Sequence, residues 1–360
     1  MKKMSDRKFI AVLLLADVLL IGAFLCVFSL FHHVLPRRFK TVDLNPITET
    51  LGDFESDADD DPVETPADPV EAFKASVMSS KRYGESPLGE REITDIGVYY
   101  EDNASIYVYS CSYGEGDDKV SYYTADFTVS DLSELKTYVC TTARGSVTDG
   151  LITDVVRETG AALCVNGDYF KSRSQGTYIR NGVLYLHKPT QGDICLLYAD
   201  GTMECKNGRT FNAREEIAKG VWQAWTFGPN LFDEAGCPIL KNEDFNISGS
   251  YILNRDETSG IYGFQNDQPR TAIGYFESGH YILVVVDGRS EGHSKGVTLP
   301  ELAQLMYDEG CKIAYNLDGG GSSMLWFNAR LQNDKWEGIK NGRKPSDYIY
   351  ISFDRKEDEP

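Results

Sequence analysis

Tyr281-Ile-Leu-Val-Val-Val286 runs into Asp287-Gly-Arg289, and Ile313-Ala-Tyr-Asn-Leu317 runs into Asp318-Gly-Gly-Gly-Ser-Ser323; between them lies a helix-like stretch from Leu299 to Glu309. The two outer pieces are short, aromatic and β-branched, as buried strands are. The middle piece carries helix signals at both ends: Thr298 as N-cap, Glu301 as its capping-box partner, Pro300 in the first turn and Gly310 beyond the last. A strand–helix–strand connection predicts two parallel strands in one sheet. Asp287 and Asp318 then project from the same edge, at the carboxyl ends where open sheets hold ligands.

Working outward, a third strand, Ala162–Val165, also ends in a polar, glycine-containing turn, Asn166-Gly167-Asp168. A helix over Leu151–Thr159, stopped by Gly160, precedes it and could bring Asn166 to the same rim. Aromatic and β-branched strands are predicted at Ile96–Tyr100, Ser105–Tyr113 and Val120–Val129. Asn181-Gly182, Asp200-Gly201 and Ser278-Gly279 signal hairpins. The class is α+β: a mixed, largely antiparallel sheet core with few helices and one strand–helix–strand unit.

The chain begins differently. Phe9 to Phe31 is a 23-residue apolar run broken only by Asp17, long enough as a helix to span the roughly 30 Å hydrocarbon core of a bilayer. A cleaved signal peptide is the competing reading, but no small-x-small site follows the run. Residues 41–70 hold ten acidic residues, four prolines and no Lys or Arg, a composition that extends rather than folds. The expected organisation is a cytoplasmic tail and transmembrane helix over 1–40, an acidic disordered linker over 41–72 and a catalytic domain over 73–360 outside the cell. Membrane contact is through the N-terminal helix.

A net charge of −19 argues against nucleic acid as a partner and requires a local cluster of cations for any anionic ligand. The 21 Tyr and 17 Phe residues supply core enough to fold without a metal or disulfide. The eight cysteines include no Cys-x-x-Cys pair and the five histidines no ligand spacing, so neither a metal nor another cofactor is expected.

Gly319-Gly320-Gly321 costs backbone entropy that close approach of a ligand to the main chain would justify. Successive amides in such a turn can form an anion-binding nest. The segment is no P-loop, since the Lys is absent, and no nucleophile elbow, since Gly-x-Ser-x-Gly is absent around Ser322 and Ser323.

Six motifs then occur in an order that resembles the phosphodiester glycosidase family: Val165-Asn-Gly-Asp-Tyr-Phe170, Phe227-Gly-Pro-Asn-Leu231, Arg270-Thr-Ala-Ile-Gly274, Val286-Asp-Gly-Arg289, Ser294-Lys-Gly-Val-Thr-Leu-Pro-Glu-Leu-Ala303 and Asn316-Leu-Asp-Gly-Gly-Gly-Ser-Ser323. The match covers about residues 160–352. The family's usual Tyr between Gly292 and Ser294 is His293 here. The resemblance implies hydrolysis of a sugar-1-phosphodiester, here in an envelope or extracellular glycopolymer such as an exopolysaccharide. A phosphoglycosyl transferase using the same site, and a non-catalytic phosphoglycan-binding protein, are the alternatives.

Cleaving an anomeric C–O bond develops oxocarbenium character, which a carboxylate near the sugar stabilises or traps. Asp318 is the first candidate, Asp287 the second and Asp168 the third; each could instead structure a turn or hold an arginine. Arg270 and Arg289 supply forks for the phosphate, with the Gly319–Gly321 amides and the Ser322 and Ser323 hydroxyls beside them. Asn166 and Gly167 are expected to face the sugar, and His293 suits proton transfer.

Overall fold

The computed structural model describes residues 68–101, 103–169, 171, 175–247, 266–334 and 343–352. The apolar run Phe9–Phe31 and nearly all of the acidic segment lie outside these residues. Among the described residues no helix is long and apolar enough to cross a membrane.

In chain order the fold opens with helix α1 (Pro69–Ser79) and strands β1 (Glu92–Tyr100), β2 (Ala104–Tyr113), β3 (Val120–Val129) and β4 (Leu135–Val139). Helix α2 (Ile152–Thr159) leads into β5 (Leu163–Asn166), β6 (Gly176–Arg180), β7 (Val183–Lys188), β8 (Asp193–Tyr198) and β9 (Met203–Asn207). Helix α3 (Ala213–Ala218), β10 (Val221–Trp225), β11 (Arg270–Glu277) and β12 (His280–Val286) follow. Helix α4 (Leu299–Asp308), β13 (Ile313–Asn316), β14 (Leu325–Phe327), β15 (Arg330–Leu331) and β16 (Asp347–Ile351) complete it. Asp68 caps α1 by accepting the Val70 N–H at 3.0 Å, so the folded part takes in the last residues of the segment read as a spacer.

Three sheets form, with strand orders β1-β2-β3-β12-β11-β13, β7-β6-β10-β8-β9 and β15-β14-β5-β16-β4. Every pairing between these strands is antiparallel. The expected parallel relation of β12 and β13 holds in direction only. β11 lies between them and pairs antiparallel with both, so the hairpin that precedes the crossover fills the gap the helix spans. As a result Arg270, at the start of β11, shares an edge with the ends of β12 and β13.

Both faces of this sheet are covered. Ile282, Val284 and Val286 pack with Leu302, Leu305 and Met306 of α4; Tyr281, Leu283 and Val285 pack with Leu163 and Val165 of β5 and Leu197 of β8. Two-sided burial explains why β12 reads as unbroken apolar sequence rather than alternation. The local signals hold as well. The Thr298–Glu301 capping box forms with both hydrogen bonds, and Gly160 ends α2 in the left-handed region at φ +66°. Asn181 and Gly182, at φ +51° and +74°, make the turn between β6 and β7 that two positive-φ residues favour.

Candidate active site

Three turns meet at the edge of the six-stranded sheet. Asn166, at the end of β5, donates through Nδ2 to the Asp318 carbonyl at 2.7 Å, and its Oδ1 accepts from Thr271 Oγ1 at 2.9 Å and from the Met324 N–H at 3.1 Å. The Asp318 N–H in turn donates to the Gly167 carbonyl at 3.2 Å. Convergence of the first and third turns is therefore real, although β5 belongs to a different sheet. It also corrects the role given to Asn166. Its amide is buried and engaged on both sides, so it clasps the two turns together and has no group left for a sugar.

Asp318 sits at the floor, 4% exposed, with Oδ1 accepting the Gly319 N–H at 3.0 Å. Gly319 and Gly320 then press against β11. A Cβ on Gly319 would stand 2.7 Å from the Pro269 carbonyl oxygen, and the Gly320 N–H donates to that same oxygen at 2.8 Å. The glycines are thus needed for close approach, but to the protein's own backbone. Two of the three amides proposed as an anion nest already have partners, which corrects that expectation. Ser322 is fully buried, and neither its hydroxyl nor that of Ser323 has a hydrogen-bond partner among the described residues.

The cations do gather here. Gly320 has φ +62°, and a Cβ there would lie 3.5 Å from Arg289 Nη2. Arg289 holds an unusual left-handed φ of +60° for a non-glycine residue. Its guanidinium is fixed by Gln268 Oε1, which accepts from Nε at 2.7 Å and also from Nη2. Arg270 donates from Nε to the Val297 carbonyl and from Nη2 to the Asn266 carbonyl, each at 3.1 Å. Burial and then the neighbouring Arg289 cation push the Arg270 guanidinium down to about 10. Two like charges held this close form a site that an anion would relieve.

Beside them, Asp287 is buried and bonded to His293 Nε2 at 2.9 Å. Its other oxygen accepts from Asn333 Nδ2 at 3.0 Å, and Oδ2 also takes the Asp334 N–H at 3.0 Å. Asn333 Nδ2 reaches the Ser323 carbonyl as well, at 3.1 Å, tying this pair to the glycine-rich turn. Burial holds the Asp287 carboxyl above its usual range. The hydrogen bond that the Asp287 carboxylate accepts holds the His293 imidazole above its own. His293 remains partly exposed, so it can exchange protons with whatever occupies the rim.

Asp168 is different, and its catalytic candidacy does not survive. Its carboxylate accepts the Thr226 N–H at 2.8 Å and pairs with Arg180 Nη2 at 3.4 Å, both side chains fully buried. Arg180 Nε also holds Asp347 Oδ2 at 2.8 Å, and Gly167 packs so closely that a Cβ would lie 2.8 Å from that carboxylate. Burial, with Asp168 nearby, pushes the Asp347 carboxyl up to about 7. This cluster locks β5, β6 and β16 behind the site. Sequence reasoning missed Arg180, Asp347, Gln268 and Asn333, whose partners lie 167, 167, 21 and 46 residues away respectively.

The sequence profile of the phosphodiester glycosidase family matches residues 159–352. The chain belongs to the phosphodiester glycosidase family. Among its relatives, the SPbeta prophage-derived uncharacterized protein YomE of Bacillus subtilis is 27% identical over 218 residues, 58% of this chain and 30% of that protein. Mouse N-acetylglucosamine-1-phosphodiester alpha-N-acetylglucosaminidase is 32% identical over 97 residues, 26% of this chain and 18% of that one. The chain thus spans less than a third of the length of either relative. The catalytic domain of the zebrafish enzyme of the same name, auto-inhibited by its pro-peptide, shares the fold at a TM-score of 0.53 and 21% identity, covering 76% of this chain and 92% of that domain. Within the phosphodiester glycosidase fold, Arg270, Arg289, Asp318 and the Asp287–His293 pair come together at one rim; Asn166, Gly167 and Asp168 serve its scaffold.

Proposed function

We propose that the chain hydrolyses sugar-1-phosphodiester bonds in an envelope or extracellular glycopolymer, held at the outer face of a membrane by a helix over Phe9–Phe31. One observation carries the reaction: the Arg289 guanidinium stands beside Gly320, two residues after Asp318, and close enough to Arg270 for the two cations to repel. In this reading Arg289 and Arg270 hold the phosphate and stabilise the charge that builds on its oxygen as the anomeric bond breaks. Asp318 is the carboxylate at the anomeric carbon, as nucleophile or as the base for water. His293, oriented by Asp287, moves the proton. The anchor rests on the length of the apolar run and the acidic segment after it, which would keep the domain clear of the bilayer.

The test is turnover of a panel of sugar-1-phosphodiesters by the full chain in detergent, against Asp318→Asn with its fold checked by melting. The expected loss is at least about a hundredfold, roughly 2.7 kcal/mol of barrier. Near-normal turnover by the folded variant rejects Asp318. Binding of phosphoglycans without any turnover by the unmodified chain rejects the hydrolase.

A further inference from the structure

Strands β8 and β9 set Cys195 directly opposite Cys205. Opposed residues of an antiparallel ladder share a face, with Cα atoms about 4.5–5.5 Å apart, inside the roughly 4.4–6.8 Å that a disulfide spans. The neighbouring Cys195 thiol, and then burial, raise the Cys205 thiol well above its usual value. No other two cysteines face each other in register among the described residues. Cys205 also lines a surface cavity of about 290 Å³ with Glu204, Lys206, Asn230 and Lys312, so a small reagent reaches it from solvent.

We propose that Cys195 and Cys205 are a disulfide-forming modification site whose oxidant is a small aliphatic disulfide. The Cys205 thiol loses its proton and attacks one sulfur of the reagent, giving a mixed disulfide and one released thiolate. Cys195, deprotonated in turn, attacks the Cys205 sulfur and expels the second thiolate. One protein S–S bond forms and one reagent S–S bond breaks. Two thiol protons pass to the two released thiolates, and the reagent takes up both electrons. Because Cys205 resists ionisation, the first attack speeds up as pH rises.

The cross-link would close the hairpin that underlies the site. Asp193, two residues before Cys195, accepts the Tyr315 hydroxyl at its carbonyl at 2.8 Å and the Asn230 N–H at its carboxylate at 3.1 Å. The adjoining Pro229 carbonyl accepts the Asn316 N–H at 3.1 Å.

The experiment exposes the reduced full chain to glutathione disulfide, quenches with acid and counts thiols after denaturation. Two thiols should be lost from the eight of the sequence beyond any adduct on the exposed Cys237, and peptide mapping finds Cys195 joined to Cys205. Cys205→Ser should start with seven thiols and lose none except that of the exposed Cys237. The mapping needs only the unmodified chain, so misfolding of the variant leaves the proposal testable. Unlinked Cys195 and Cys205 peptides, a persistent glutathione adduct on Cys205, or a bridge between other cysteines would overturn it.

Discussion

Strand β12 carries a histidine–aspartate pair at each end, and the two pairs behave oppositely. At its start, His280 Nε2 meets Asp126 Oδ1 at 2.7 Å. Lys81 Nζ holds Asp126 Oδ2 at 2.8 Å and Glu309 Oε2 at 3.3 Å, all three side chains at most 2% exposed. Tyr83 and Tyr109 donate their hydroxyls to Glu309. Burial pushes the Asp126 carboxyl up, but Lys81 and His280 pull it further down, so it lies below its usual value. At the other end Asp287 has His293, an asparagine amide and a backbone N–H, and there burial wins. The same two residue types give a locked ion cluster where an ammonium joins them, and a proton-responsive pair where only neutral donors do.

The largest effect should come from removing that ammonium. Lys81→Met leaves Asp126 and Glu309 buried beside each other without their cation, a loss of about 3–5 kcal/mol of stability. Denaturant unfolding measures it, and a change below about 1 kcal/mol would mean the cluster is solvated and the contrast false. Next comes His293→Phe. If the Asp287 end is the working one, kcat/KM should drop about a hundredfold, the ordinary share of a general acid or base. Unchanged kcat/KM in that variant would return His293 to the surface.

Stability against pH sharpens the contrast further. The raised His293 value means its pairing favours folding below about pH 6.5 and is lost as pH climbs through the higher folded value. Asp287, also raised, favours folding below about pH 3.9 and loses that contribution as pH rises. Asp126, lowered, contributes above about pH 3.9 and loses it as pH falls through its folded value. His293→Phe should therefore flatten the decline on the alkaline side of about pH 6.5 and leave the acid limb in place, in melts taken across pH. A decline that persists unaltered would assign it to other groups.

What the sequence disclosed about these regions follows from how local each signal is. The α4 cap, the Asn181-Gly182 turn and the strand ends at Asp287 and Asp318 are decided by residues within a few positions, and all were legible. The closeness of Arg270 and Arg289 was legible because the Ser278-Gly279 hairpin sets the start of β11 against the end of β12. The partners that sort one aspartate from another were not. Asp168 reads like Asp287, an acidic residue beside a glycine after an apolar strand, yet Arg180 reaches it from a neighbouring strand and Asp347 approaches from 179 residues away. Arg180 itself precedes a hairpin turn and looks like a surface residue; only the packing of β6 against β10 turns it inward. The insertion of β11 between β12 and β13 was equally hidden, since connectivity gives direction without adjacency.

The smallest effect should come from the histidine at the quiet end. His280→Asn removes the imidazole from Asp126 but leaves Lys81 in place, and His280 is partly exposed, so water can take over the lost hydrogen bond. The stacking of His280 on Phe276, at 4.2 Å between ring centres, goes with it. A cost of about 1 kcal/mol is expected from one hydrogen bond between a side chain and a carboxylate that keeps its main partner, with kcat/KM within about twofold of the unmodified enzyme. The two readouts separate the ends of the strand. His280 shifts the unfolding midpoint without touching turnover, whereas His293 should alter turnover far more than its exposed position could alter stability. A turnover loss on His280→Asn as large as that on His293→Phe would make the pairs equivalent, and the Lys81 ammonium would no longer explain why one of them is structural.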